Sequence, residues 1–524
     1  MICPIVFCLD KNFTGYTKLA IDSVLHHNPK AKIVLVVDEK IDELKQFKQF
    51  VLDKNILKEM AIRKTDRVTA LTYARIFLPK LLKQYSKCIY VDGDILVRRS
   101  LKELIKQDIP FIGAVKEAND KWLLHGIQKD IYYNAGFLVL NLEALRKAKF
   151  TEKCIKYIKN YKKGYLGTEG TWLHDQTTIN ALFSEKITRL DDKWNTQLSW
   201  DPPPKYEEID FSTNANIHFL TAYNKESFVR YSIDNAEKFE SFNKPIDLVY
   251  IIKETATDTV VVKETVESIL KQTYKNFRLN IFVSERLNYL DKLFQKIEDK
   301  RVRLYDCSLI GDDLYKVYEY AKSKVESDKI IIIDEHLIPE KNAVKKLIID
   351  SYQPKVNFVI GKCQEIGVPE GEVFGYPKPD EARVEQLFYS YERECLLLCK
   401  KEDFISYEFG EDKMFCINSF KNWLFAKHIN FTVTYPVVCW CRNDKLDRSR
   451  FINNEMEMAF MIIHSFKRIG FDINYNEAQY LNPYSEREYI TKKEQVHLMK
   501  VRRKIEAEFI DRFDLNYFNK LFQM

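Results

Sequence analysis

The sequence has no run of apolar residues long enough to span a membrane, and its first eight residues, Met1-Ile2-Cys3-Pro4-Ile5-Val6-Phe7-Cys8, carry neither the basic start nor the small-residue cleavage site of a secretory signal. The expectation is a chain that starts directly with a strand and works in the cytoplasm. Its 11 cysteines show no C-x-x-C spacing, and Cys8, Cys88 and Cys439 fall inside apolar runs where free thiols act as small buried hydrophobes. That argues against a zinc site and for a reduced compartment. Charge of one sign is scarce as well: 82 basic against 76 acidic residues leave +6, too little on this length to argue for nucleic acid, and no nucleic-acid-binding module is recognisable. No motif of the first half repeats obviously in the second.

What is present starts with size. A chain of 524 residues, 46% apolar and 30% charged, has the composition of an ordinary globular protein and the length for two or three domains. The most informative stretch is Cys88-Ile89-Tyr90-Val91-Asp92-Gly93-Asp94-Ile95-Leu96-Val97. An apolar run of strand length ends in two carboxylates spaced i, i+2, which in extended backbone point to the same side. At the end of a strand in an open α/β sheet, such a pair reads as a divalent-metal and phosphate site. Gly93 would let backbone or ligand come close. The alternative is a plain turn, because Asp-Gly-Asp is a common turn sequence.

Along the chain, residues 4–9 read as a first strand ending in Asp10-Lys11-Asn12-Phe13. Residues 19–25 have helical spacing, stopped by Asn28-Pro29, and residues 33–37 are a second strand. Strand, helix and strand at this spacing predict a βαβ unit and a parallel sheet. Thr72-Tyr73-Ala74-Arg75-Ile76-Phe77-Leu78 falls on a predicted helix running to Leu82. After the aspartate pair come Tyr132-Tyr133-Asn134-Ala135-Gly136-Phe137, then His174-Asp175-Gln176-Thr177, then Asn216-Ile217-His218-Phe219.

This succession resembles the family-eight glycosyltransferases, retaining enzymes of the GT-A fold that use UDP-sugars and a manganese ion. The resemblance covers about residues 1–240 and rests on Asp10-x-Asn12-Phe13, Tyr73-Ala74-Arg75, Tyr90-Val91-Asp92-Gly93-Asp94, Tyr133-Asn134-Ala135-Gly136, Asp175-Gln176 and His218 in that order. It implies that Asp92, Asp94 and His218 are metal ligands, a set that suits Mn²⁺ better than the all-oxygen shells of Ca²⁺ or Mg²⁺. It implies that Asp10 and Asn12 read uracil and ribose, with Cys8 in the same nucleotide-sugar set; read alone, Asp10 and Asn12 could simply shape a turn. Arg75 matches the arginine that reaches the nucleotide-sugar, its alternative being a helix-surface ion pair. Gly93 falls between the ligands, and Asn134, Ala135 and Gly136 match the loop under the donor sugar.

The resemblance further makes Asp175 and Gln176 the catalytic pair facing the anomeric carbon. An amide is a poor nucleophile, so retention is expected by front-face attack, Asp175 being the nearby carboxylate that a covalent intermediate would need. One departure follows His218, where the family's glycine and Lys-Pro positions hold Thr221, Asn224 and Lys225; Lys225 is expected to reach the diphosphate from one residue later.

Beyond Asn243-Lys244-Pro245 a second α/β series opens, with strands at residues 247–252, 279–283, 302–305 and 329–334 and helices at 260–272 and from 287. Residues 268–277, Asp334-Glu335-His336 and Phe409-Gly410-Glu411-Asp412 resemble the family-two glycosyltransferases. The family's nucleotide-reading turns are replaced here by Lys253-Glu254-Thr255-Ala256 and Ser284-Glu285-Arg286-Leu287, which implies a degenerate domain. It would be a non-catalytic add-on that binds acceptor or mediates dimerisation, or else a second, inverting transferase with Asp412 as base.

The expected architecture is therefore α/β, with two tandem GT-A domains and a helical tail: a catalytic domain at 1–243, the second domain at 244–465 and a basic tail at 466–524. Leu498, Val501, Ile505, Phe509 and Phe513 recur at helical spacing beside Lys492, Lys493, Lys500, Arg502, Arg503 and Lys504. Such a helix lies on the inner face of an anionic membrane or packs against the body or a second subunit. The function expected is transfer of galactose or glucose from a UDP-sugar to a surface glycan or glycoprotein. A silent nucleotide-sugar-binding subunit for a partner enzyme is the alternative of another class.

Overall fold

A computed structural model describes residues 3–53, 70–118, 131–164, 174–199, 201–252, 259–283, 297–310, 314–333, 337–354, 356–361, 363–365, 396–409, 420, 424, 431–433 and 439–441. The basic tail, Asp334, His336 and Asp412 lie outside these residues, as do the stretches 253–258 and 284–296. The chain divides into two compact units, Met1–Asn243 and Lys244–Met524. Among the described residues, no helix is long and apolar enough to cross a membrane.

In the first unit, strands β1 (Ile5–Leu9), β2 (Ile33–Val37), β3 (Lys48–Val51), β4 (Lys87–Val91), β6 (Ile112–Lys116), β7 (Tyr133–Asn141) and β8 (Ile187–Arg189) form one sheet in the order β3-β2-β1-β4-β7-β6-β8. β5 (Ile95–Leu96), β9 (Thr196–Gln197) and β10 (Ile217–His218) form a small second sheet in the order β5-β10-β9. β2 is buried at all five positions and β1 at four, which is why both read as unbroken apolar runs. Burying each such Val, Leu or Ile side chain contributes roughly 1.5–3 kcal/mol. β3 closes the edge and is largely solvated, with Val51 exposed.

The parallel order predicted from the βαβ pattern holds for β1 through β4, but β7 runs antiparallel to both β4 and β6. The physical reason is the lack of side information in a strand buried along nearly its whole length, for apolar residues at every position read alike in either direction. The predicted helix over residues 72–82 is also corrected. It is a 3-10 helix over Ala70–Phe77, becoming α-helical over Leu78–Leu81, where Pro79 occupies the first turn. The helix after β1 spans Thr14–His27 and stops at Asn28, whose side chain caps Val24 and accepts from Leu101 N.

The second unit has strands β11 (Ile246–Ile252), β12 (Phe277–Val283), β13 (Val302–Asp306), β14 (Lys329–Ile333), β15 (Leu337–Pro339), β16 (Phe358–Gly361), β17 (Cys363–Glu365), β18 (Leu396–Lys400), β19 (Phe431–Val433) and β20 (Cys439–Cys441). Its large sheet runs β13-β12-β11-β14-β18-β16-β19 and its small one β15-β20-β17. Parallel and antiparallel neighbours fall at the same places as in the first unit: β14 is antiparallel to β18 as β4 is to β7, and β16 is parallel to β19 as β6 is to β8. The sequence motifs hide this correspondence because strand order is carried by apolar runs rather than by particular side chains. Helices Thr259–Leu270, Leu314–Lys322 and Ala343–Asp350 accompany this sheet.

Candidate functional site

The site is assembled where β4 ends. Asp92, Gly93 and Asp94 occupy a tight turn between β4 and β5, closed by Ile95 N donating to Asp92 O at 3.2 Å. The turn and metal readings are thus compatible, and convergence of the carboxylates comes from the turn rather than from extended alternation. His218 is brought in by the small sheet, in which it pairs with Ile95 across antiparallel β5 and β10 while Phe219 N donates to Asp94 O at 3.0 Å. That register puts residues more than a hundred apart in the chain side by side.

His218 Nε2 stands 3.2 Å from Asp94 Oδ1 and 3.9 Å from Asp92 Oδ2. Each of the three residues offers a ligand atom within 4.8 Å of the others. Gly136 makes this possible, because a Cβ there would overlap His218 and stand 2.9 Å from Asp92 Oδ2. At Gly93 a Cβ would run into Thr17 Oγ1 of the first helix. Two carboxylates and an imidazole at this spacing, with His218 Nδ1 left without a partner, fit a divalent cation.

Lys225, in the first turns of helix Ala222–Asp234, pairs with Asp94 Oδ2 at 3.0 Å. The helix is started by Thr221, whose hydroxyl accepts from Asn224 N at 3.0 Å. Two of the residues that depart from the family pattern therefore set where the third one points. Burial opposes ionisation of Asp94, but Lys225 and His218 hold its carboxyl well below the usual carboxylate range. Burial, aided by Asp94, raises Asp92 against the pull of Arg75.

Arg75 is buried rather than on a helix surface, which overturns the surface ion-pair reading. Its Nε contacts Asp175 Oδ2 at 2.9 Å, its Nη2 donates to Asp92 Oδ1 at 3.0 Å, and its Nη1 donates to Ala135 O. The guanidinium plane lies 4.4 Å over the Tyr90 ring, and the Tyr90 hydroxyl donates to the same Asp92 Oδ1. Burial and the neighbouring Asp92 keep that phenol far above its ordinary pKa, so it stays a donor. Asp175, in the first turn of helix His174–Phe183, is pushed up to about 6 by burial, with Arg75 opposing and Asp92 adding to the rise.

The loop residues are held from behind. Gln176 Oε1 accepts from Ala135 N at 2.9 Å, and Gln176 Nε2 donates to Glu117 Oε2 at 2.8 Å. Asn134 Nδ2 donates to the same Glu117 oxygen at 2.9 Å, while Asn134 Oδ1 accepts from Gly136 N and Asn195 Nδ2. Glu117, Asn195 and the role of Tyr90 escape a reading by motif. For Glu117 a signal exists, since it follows the apolar strand β6 as Asp92 follows β4.

Asp10 sits at the end of β1 with Oδ1 accepting from Asn12 N at 2.9 Å and Phe13 N at 3.3 Å. This is the local turn that its sequence suggests, and Asn12 is left exposed. Cys8, one residue inside the strand, has its thiol pushed up by burial and is neutral at ordinary pH.

With this geometry in view, the comparisons with known proteins are specific. The family model "Glycosyl transferase family 8" matches residues 4–225. The chain is 25% identical over 239 residues to the glycosyltransferase GlyD of Streptococcus pneumoniae, covering 42% of this chain and 28% of that protein. It is 27% identical over 225 residues to the lipopolysaccharide 1,3-galactosyltransferase of Salmonella typhimurium, covering 37% of this chain and 64% of that one. The chain thus spans less than two thirds of either relative. Among solved structures, the galactosyltransferase LgtC in complex with donor and acceptor sugar analogs aligns at 20% identity and a TM-score of 0.34, over 43% of this chain and 94% of that one. Residues 4–225, which match the glycosyltransferase family 8 model, hold every side chain of the site described above.

Proposed function

We propose that the first unit is a retaining, Mn²⁺-dependent hexosyltransferase that moves galactose or glucose from a UDP-sugar to a surface glycan or glycoprotein. The observation that carries this is the cluster of Asp92, Asp94 and His218 beside Arg75, Asp175 and Gln176, all inside the residues that match family 8. Asp92, Asp94 and His218 would hold a divalent ion, which would supply charge stabilisation for the departing UDP. Lys225 adds a cation on the same side and supports the departing phosphate. Asn134, Ala135 and Gly136 carry the donor sugar, and Asp10 and Asn12 take the uridine.

Gln176 is set beside the anomeric carbon by its Nε2 bond to Glu117 and its Oε1 bond from Ala135 N, which leaves Oε1 one further lone pair. The acceptor oxygen bonds to that carbon on the face from which the phosphate oxygen leaves, and the leaving phosphate takes the acceptor's proton. No covalent intermediate forms, and Asp175 stays paired with Arg75 to hold the pocket's charge in place. The relatives' names support hexose transfer, one of them being a lipopolysaccharide 1,3-galactosyltransferase.

For the second unit, the reading is a GT-A-like add-on that binds acceptor or a second subunit. A second, inverting activity with Asp412 as base is the alternative; the matching order and orientation of both sheets in the two units supports the GT-A-like fold common to both readings. UDP release from a panel of UDP-sugars with Mn²⁺, comparing wild type with Asp94→Asn and Asp412→Asn, tests both readings. Turnover of one donor that disappears only with Asp94→Asn supports the first unit as the enzyme; loss of a distinct product with Asp412→Asn supports the second activity. A wild type that neither turns over nor binds any UDP-sugar sinks the transferase reading.

A further inference from the structure

The two metal-site carboxylates are held in different ways. Asp94 has Oδ1 next to His218 Nε2 and Oδ2 paired with Lys225. Asp92 takes two donors on one oxygen: Oδ1 accepts from the Tyr90 hydroxyl and from Arg75 Nη2 at 3.0 Å. Its other oxygen, Oδ2, faces His218 Nε2 and the space kept open by Gly136. A carboxylate oxygen has about two lone-pair sites, so the lone pairs of Oδ1 are spoken for. Tyr90 is fixed in this role because it is 1% exposed, one residue before the end of β4, with its ring under the Arg75 guanidinium.

This arrangement decides how many oxygens Asp92 can offer a cation. Ca²⁺ takes 6–8 oxygen ligands and readily uses both oxygens of a carboxylate, whereas a smaller ion in a mixed nitrogen and oxygen shell needs one per carboxylate. We propose that the Tyr90 hydroxyl is a positioning group that restricts Asp92 to binding through Oδ2 alone and so sets the site's preference for Mn²⁺ over Ca²⁺. The inference rests on the reading of Asp92, Asp94 and His218 as a metal site and goes beyond it in assigning the selectivity to a residue that touches no metal. Tyr90→Phe is the direct probe, since it keeps the ring beneath Arg75 and removes only the donor on Oδ1.

The test uses the full chain with saturating UDP and no donor sugar, so that it does not depend on turnover. Free Mn²⁺ is followed by its electron paramagnetic resonance signal, and Ca²⁺ is added as a competitor. With Tyr90→Phe, Mn²⁺ affinity is expected to fall about tenfold, as for the loss of other outer partners of a metal ligand, while Ca²⁺ competes at least as well as before. The Mn²⁺ to Ca²⁺ ratio therefore falls about tenfold. A parallel loss of both ions, leaving the ratio unchanged, shows a merely structural hydroxyl and overturns the proposal, as does an unchanged variant.

Should Tyr90→Phe fail to unfold cooperatively, Tyr90→4-aminophenylalanine keeps the ring beneath Arg75 and leaves only a weaker N–H donor on Oδ1. A lowered ratio in that variant supports the proposal and an unaltered one overturns it. Wild-type protein that binds no Mn²⁺ in the presence of UDP overturns this inference together with the metal reading, an outcome distinct from binding with an unaltered ratio.

Discussion

Among the described residues, the two units build the same sheet order, but a fully buried carboxylate of the second lies at the start of a strand, whereas Asp92, Asp94 and Glu117 of the candidate site in the first lie past strand ends. In the second unit, Asp247 is the second residue of β11 and fully buried. Its Oδ1 accepts from Arg278 Nε at 2.8 Å and Asn280 Nδ2 at 3.0 Å, and its Oδ2 from Arg278 Nη2, Glu326 N, Ser327 N and Ser327 Oγ. In the first unit, half-buried Asp92 and Asp94 lie past the end of β4, with Glu117 past the end of β6 and His218 on β10, and Glu117 Oε1 and His218 Nδ1 have no partner. A buried polar atom without a partner costs free energy unless something else satisfies it. Such atoms occur in the second unit too, at Asn280 Oδ1 and Arg301 Nη1, so the contrast rests on Asp247 itself, both of whose oxygens are saturated by the chain as suits charge that holds a fold. Parallel strands make the same division, because ligands of open α/β sheets gather at the carboxyl ends.

The sharpest break of this comparison comes from Asp247→Ala. It leaves Arg278 and two backbone amides without their acceptor, and a loss of about 3–5 kcal/mol is expected, as for breaking other buried pairs. A urea denaturation midpoint close to wild type would remove the contrast. Burial opposes ionisation of Asp247, but Arg278 and the backbone donors lower its folded-state pKa. Its stabilisation is thus present above the unfolded pKa and is lost as the pH falls through the lower folded value.

Asp94→Asn should shift the balance toward function, costing about a hundredfold or more in Mn²⁺-dependent donor turnover and less in thermal midpoint than Asp247→Ala, since the amide can keep hydrogen bonds to Lys225 and His218 and loses only the charge. Equal damage to activity and fold would erase the distinction between the two strand ends. Asp175 sharpens it through pH. Since burial raises its folded-state pKa to about 6, it favours the folded state at low pH, a contribution lost as the pH rises through about 6. Donor turnover should decline below about pH 6 as Asp175 takes up a proton and loosens Arg75, and Asp175→Asn should remove that limb of the profile.

The smallest effect is expected from Glu117→Gln. Both amide donors end on one oxygen, Oε2, which the glutamine carbonyl can replace. The charge disappears and an amide nitrogen takes the place of the partnerless Oε1, and hydrogen bonds to charged groups exceed neutral ones by about 1 kcal/mol. Donor turnover should fall roughly fivefold with UDP affinity unchanged in calorimetry. A fall in UDP affinity of the same size would show that Glu117 acts on the fold of the pocket rather than on Gln176.

Much of the framework was legible in the order of residues. β2 was readable to its end residues because five consecutive apolar positions bounded by polar ones can only be a buried strand or a short helix, and five is too few for a helix. The aspartate pair was legible because carboxylates at the end of such a run are costly without a purpose. The reversal of β7 was not, because a run buried at eight of its nine positions carries no mark of direction. Nor were the partners of Arg75 legible, since Asp92, Asp175 and Ala135 come to it from three other segments of the chain.

By itself, then, the sequence determined the strand segments, the turn that joins Asp92 to Asp94 and the chemical types available for a metal site, all of which depend on residues near one another in the chain. The tertiary structure decided the rest. Only the pairing of β10 with β5 brings His218 to Asp94, only the buried position of Arg75 ties Asp92 to Asp175, and only the end of β6 sets Glu117 behind Gln176 and Asn134. Each of these contacts joins segments far apart in the chain, and their geometry is fixed by strand register and close packing, which no local spacing encodes.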